Sequence, residues 1–222
     1  MIELVHYDDL TIDLPVDVYN ALNRASREYE ATITDMYYHL NNKGTFGSDL
    51  FNELFNDAMD AYFNYERQRN VVSHDFVIPA VRAAFNAAED ALIQNTWTVN
   101  FDGSHVCSIT NIVIDENGET IYNEDISDEW IEKLPKLLAK REIYDELLAK
   151  LMTVMGENPA IRKEYANIRR AHIDTDIQYQ DNVTTFNGSV IKDIFAKTDK
   201  DPSNFNWSID YANKKLLITS KI

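Results

Sequence analysis

The sequence predicts an α+β fold, with an N-terminal helical array followed by antiparallel β-meanders with intervening helices. Three observations carry that expectation. Apolar residues recur at steps of three and four within residues 18–40, 50–63 and 81–92, the repeat of helices with one buried face. The period drops to two at Trp97, Val99 and Phe101, just before Asp102-Gly103, which is a hairpin signal. Gly and Pro number only 6 and 5, so long flexible linkers are not expected.

The first element reads as β, because Leu10, Ile12 and Leu14 alternate with Thr11 and Asp13. Asp8-Asp9 is expected to turn the chain from residues 2–7 into it. Pro15 then opens a helix to about Leu40, with Val18, Tyr19, Leu22, Ala25, Tyr29, Ile33, Met36, Tyr37 and Leu40 on its apolar face. Asn41-Asn42-Lys43-Gly44 is its stop, with Gly44 at C′. Ser48 caps the next helix and Asp49 lies in its first turn. Its adjacent apolar pairs, from Leu50-Phe51 to Tyr62-Phe63, make a stripe wider than a surface helix needs. A third helix is expected from Pro79 to about residue 95.

Strands follow at residues 97–101, 106–114 and 120–122, joined by Asp102-Gly103 and Asp115-Glu116-Asn117-Gly118 as a meander. Ser127 then caps a helix that Pro135 should kink or restart and Gly156 should end. A further helix is expected from Pro159 to His172. Phe186-Asn187-Gly188-Ser189 reads as a turn between strands at 183–185 and 190–191. Trp207, Ile209 and Tyr211 alternate, residues 212–215 turn, and 216–219 pair back. The natural division falls into a mainly helical part, 1–96, and an α+β part, 97–222, unless the two form one continuous domain.

At 222 residues the chain buries a sizeable core without staples. Cys107 is the single cysteine, which excludes an intramolecular disulfide and a multi-thiolate zinc site. Residues 1–9 lack the basic and apolar parts of a signal peptide, so a cytoplasmic location is expected. No apolar run is long enough to span a membrane.

The net charge is -16, and it is unevenly placed. Residues 1–60 carry 12 acids against 3 bases, a balance of -9. Residues 61–100 balance at -1, with 4 acids against 3 bases. Residues 101–150 carry 12 against 5, or -7, and residues 151–222 carry 9 against 10, or +1. Such a field repels nucleic acid and anionic membranes and favours basic partners. The sharpest acidic feature is Asp49, Glu53, Asp57 and Asp60, spaced four, four and three on one predicted helix face. Asp8 and Asp9, with Asp13 and Asp17, form a second cluster. Glu116, Glu119, Glu124, Asp125, Asp128, Glu129 and Glu132 form a third. The plain reading of each is a solvated surface. The sharper reading is a row of carboxylates that imitates a phosphate backbone and binds a basic cleft.

Other chemistry is thin. On an extended segment His172, Asp174 and Asp176 would point one way and converge on a metal ion. Asp115 and Glu119 flank a turn as acids do in metal nucleases, but position 121 is Ile where a lysine is wanted. His105 and Cys107 would share a strand face, and His74-Asp75 would suit acid–base work. Arg162, Lys163, Arg169 and Arg170 are the basic concentration, read first as internal partners of the acidic blocks and second, with Tyr165 and His172 nearby, as a single-strand nucleic-acid surface. Glycine-rich phosphate loops and the nucleophile elbow are missing.

The expected function is therefore a binding module with no cofactor, directed at a protein with a basic surface rather than at nucleic acid or a membrane. An inhibitor or adaptor of a nucleic-acid-handling protein fits. The size, the missing catalytic motifs and the aromatic, Asn-rich texture suit a viral or mobile-element accessory protein. The alternatives are a metal-dependent hydrolase using His172, Asp174 and Asp176, or a self-assembling subunit forming a homo-oligomer.

Overall fold

A computed structural model describes residues 5–156, 158–211 and 213–221. The chain forms an α+β fold of helices and antiparallel sheets, in the order β1 (Val5–His6), β2 (Leu10–Asp13), α1 (Val16–Asn41), α2 (Asp49–Val72), α3 (Ile78–Phe85), β3 (Leu92–Val99), β4 (Val106–Asp115), β5 (Thr120–Asp125), α4 (Asp128–Val154), α5 (Pro159–Phe186), α6 (Lys192–Phe195), β6 (Phe205–Asp210) and β7 (Lys215–Ser220). Residues 2–4 of the first expected strand, and Ala212 of the last expected turn, lie outside the described residues.

Two compact units result, each built from separated stretches of chain. One comprises Met1–Asn23, Arg67–Asp128 and Thr198–Ile222; the other comprises Arg24–Glu66 and Glu129–Lys197. None of these boundaries falls at residue 96.

The first unit holds both sheets. β4 is the centre of the first, with β3 along one edge and β1 and β2 in succession along the other, all antiparallel to it. Because β1 and β2 both run antiparallel to β4, Asp8-Asp9 does not reverse the chain as expected; it is a jog between two stretches running the same way. Asn111, at φ 53, sits in a bulge where the register with β3 shifts. The extra residue resets the alternation, so Cys107, Ile109, Ile112 and Ile114 are all buried.

β5 does not complete a meander with β4. It pairs with β7, which pairs in turn with β6, giving a second sheet in the order β5-β7-β6. Asp115-Glu116-Asn117-Gly118 is a turn, as expected, with the Asn117 N–H donated to Asp115 Oδ1 at 2.9 Å, but it carries the chain from one sheet to the other. The β3–β4 connection is also longer than two residues, since Val99 is opposite Cys107. Asp102 holds this loop by accepting the Ser104 N–H at 2.8 Å, and Tyr19 on α1 accepts the Gly103 N–H at 2.9 Å.

The second unit is helical, with a core drawn from four helices. α1 supplies Tyr29, Ile33, Met36 and Leu40; α2 supplies Phe51, Phe55 and Ala58; α4 supplies Ile143, Leu147 and Leu151; α5 supplies Ile161 and Ile168. The steps of three, four and seven are those that stack side chains on one helix face. Ser48 caps α2 as expected, its hydroxyl accepting the Phe51 N–H at 3.2 Å. Lys43, not Gly44, takes the left-handed conformation after α1, at φ 70. Gly44 is needed for closeness instead, since a Cβ there would lie 2.4 Å from the His39 carbonyl oxygen.

Two helix boundaries differ from expectation, and Pro135 does not start a new helix. α2 continues through a π-helical turn, Ser73–Val77, into α3, which ends at Phe85 because Asn86 adopts a left-handed cap; residues 88–95 are therefore not helical. α4 runs through Pro135 as one helix. α5 extends to Phe186 and continues through a π-helical turn, Asn187–Ile191, into α6, where strands and a hairpin were expected. Burial explains this last change: Phe186, Ile191 and Phe195 are all buried along the continuous helix. The polar side chains there bond back along it, Thr185 to Asp181 O at 2.9 Å and Ser189 to Thr185 O at 2.8 Å.

Candidate functional site

α2 buries Phe51, Phe55 and Ala58, which forces the residues between them outward. Asp49, Glu53, Asp57 and Asp60 are all exposed. At about 1.5 Å rise per residue, successive carboxylates separated by four positions stand about 6 Å apart along the axis. Among the described residues, none of the four forms an ion pair. Asp8 and Asp9 are likewise exposed, at the jog between β1 and β2.

The third acidic cluster is different, because lysines neutralise much of it. Glu119 pairs with Lys200. Asp128 meets Lys214 at 3.1 Å, Asp125 meets Lys215 at 3.3 Å, and Glu132 meets Lys136 at 3.3 Å. The expected internal partners, Arg162, Lys163, Arg169 and Arg170, pair with none of the three clusters among the described residues. All four are exposed on α5.

His172, Asp174 and Asp176 do not sit on an extended segment; they lie in α5. Residues two apart on a helix differ by about 200° in direction, so Asp174 cannot converge with the other two. It is exposed, while His172 and Asp176 turn to α4. His172 Nε2 lies 3.0 Å from Asp145 Oδ1, out of line for a hydrogen bond. Asp176 Oδ1 lies 3.3 Å from the Arg141 guanidinium, which also lies over the Tyr179 ring at 5.3 Å. No group of three or more potential metal-ligating side chains occurs among the described residues.

His105 and Cys107 do not form a pair. His105 has φ 57 and its ring packs on Tyr19 at 4.3 Å, whereas Cys107 is buried in the sheet core. Burial pushes the Cys107 thiol up to about 11, which removes the thiolate that nucleophilic chemistry needs. His74 and Asp75 are exposed in the π-helical turn after α2. Asp115 is buried and holds its own turn, while Glu119 is exposed and paired with Lys200. That is the turn architecture rather than a pair of facing acids.

Two features were missed in the sequence. Glu164 on α5 is 7% exposed and binds backbone rather than a cation. Tyr29 is buried between helices, with its hydroxyl facing Glu146 and its ring against Tyr62 at 5.5 Å and Tyr65 at 6.1 Å. Desolvation, then the Glu146 charge, drives the Tyr29 hydroxyl far above the ordinary tyrosine range. A glutamate in a helical repeat looks the same in sequence whether it faces water or another chain segment.

No protein-family model, curated protein or solved structure matches this chain. No helix among the described residues is long and apolar enough to cross a membrane.

Proposed function

We propose that this chain is a protein-binding module whose α2 carboxylates dock on a basic surface. The supporting observation is the contrast between two acidic regions. The third cluster is largely matched by lysines of its own chain, whereas Asp49, Glu53, Asp57 and Asp60 are exposed and without ion pairs among the described residues. Carboxylates on a rigid helix need little ordering when a partner binds. A groove that normally receives a phosphate backbone is the basic surface such a row fits. An inhibitor or adaptor of a nucleic-acid-handling protein is the corresponding role, cytoplasmic and of viral or mobile-element type. Asp8 and Asp9 are the secondary candidates for contact.

Affinity purification of the tagged protein from its native cell, with and without nuclease and at rising salt, tests the reading. A nucleic-acid enzyme retained after nuclease and released by salt is expected. Replacing the four α2 acids by Asn or Gln should release it at low salt as well. Unchanged retention by that variant would remove α2 as the contact.

A further inference from the structure

We propose that the exposed face of α5, formed by Arg162, Lys163, Arg169, Arg170, Ile173 and Ile177, docks on the acidic α2 face of a second copy of this chain. At about 100° per residue these six positions fall within roughly one third of the helix circumference. All six are exposed. From Pro159 to Ile173 every exposed charged side chain on α5 is basic, because Glu164 is buried, and over the whole span to Ile177 the one exposed acid is Asp174, at the margin of the face beside Lys163. Ile173 and Ile177 continue the face one turn apart, 47% and 54% exposed.

α2 carries the complement. Every exposed charged residue from Asp49 to Asp60 is acidic, four in number, against four bases on α5. Leu50, 49% exposed, lies at the margin of that acidic face. The acids span about 17 Å of helix axis and the bases about 12 Å, so the basic stretch fits within the length of the acidic row and is opposite in sign. Within one chain no ion pair joins them among the described residues, which leaves both for an intermolecular contact. The net charge of -16 disfavours nucleic acid on the α5 face. It also makes two copies repel at long range, but that repulsion is screened beyond about 8 Å at physiological salt, while contacting pairs are screened less. The contact joins unlike faces, and each copy offers one of each.

This inference rests on the same α2 face as the proposed function, and a second copy and a basic partner would exclude each other there. Two full-length variants separate the ideas. One replaces the α2 acids, Asp49→Asn, Glu53→Gln, Asp57→Asn and Asp60→Asn. The other replaces the α5 bases, Arg162→Gln, Lys163→Gln, Arg169→Gln and Arg170→Gln. Sedimentation velocity at physiological salt should show reversible, concentration-dependent association of the unaltered chain and its loss in each variant alone. An equimolar mixture of the two variants should associate again, because one retains the α5 face and the other the α2 face. Circular dichroism of each variant checks that it folds. An unaltered chain that stays monomeric at high concentration overturns the proposal. So does a mixture of folded variants that stays monomeric, or a labelled single-stranded oligonucleotide that binds the α5 face of a monomeric chain. The α5 variant keeps its α2 acids and should still retain a basic protein partner, so failure of self-association and failure of partner binding are read independently.

Discussion

Glu164 Oε2 accepts the backbone N–H of Phe46 at 2.8 Å, joining residues 118 positions apart within the helical unit. The Asn167 side chain approaches the same oxygen at 3.5 Å. A buried carboxylate thereby satisfies the connection between α1 and α2, which also supplies Phe46 to pack on the core. Glu164→Leu should cost about 1–3 kcal/mol, because it leaves the Phe46 N–H without its acceptor. Glu164→Gln keeps an acceptor and should cost less. Urea unfolding of both variants measures the difference, and equal losses would assign the effect to packing instead.

Glu146 presents the opposite case. Burial raises its carboxyl above the ordinary 4.5, and the Glu142 and Glu30 charges add to the rise, while the Tyr29 hydroxyl and Lys150 oppose it. A carboxyl raised in the folded state stabilises most fully when protonated, below its unfolded value. That contribution is lost as pH rises through the folded value. Glu146→Gln should therefore stabilise the protein modestly at neutral pH and flatten the fall in stability above about pH 4.5. Glu146 retains an exposed surface, so solvent screening limits the size of the gain. Thermal melts of both proteins across that pH range would reveal the two curves converging at the acid end.

Cys107 is fully buried, with its thiol raised to about 11. Thiol reagents at neutral pH should leave the native protein unmodified and label it rapidly once it is unfolded. Fast labelling of native protein would place the thiol outside the sheet core.

Gly44 donates its N–H to the His39 carbonyl at 2.8 Å, and a Cβ would meet that same oxygen at 2.4 Å. Because the obstacle includes backbone, it cannot swing away. Gly44→Ala should destabilise by about 1–3 kcal/mol, a cost of forced local displacement. A substitution at Gly188, where an added Cβ meets nothing within 4 Å, provides the control in the same denaturation assay.

The sequence was most legible where one helix face is buried. The steps among Tyr29, Ile33, Met36 and Leu40 named core residues, and Ser48 marked the start of α2. The α2 acids were legible as one exposed row for the same reason, since burying Phe51, Phe55 and Ala58 leaves them facing water. Strand alternation told which side chains share a face but not which strand lies alongside. β5 therefore read as the partner of β4, although it pairs with β7 about ninety residues later. His172, Asp174 and Asp176 would converge only on an extended segment, and they lie in α5 instead.

Local periodicity thus determined the α+β class, most helix faces and the placement of acidic charge, because each depends on residues within a few positions of one another. Tertiary structure decided the rest. Burial of Phe186, Ile191 and Phe195 drew a stretch of β-favouring residues into helix, since core packing outweighs propensity differences of a few tenths of a kcal/mol per residue. Long-range pairing chose the partner of β5, and it brought Lys200, Lys214 and Lys215 to the third acidic cluster while leaving the α2 row without such lysines among the described residues.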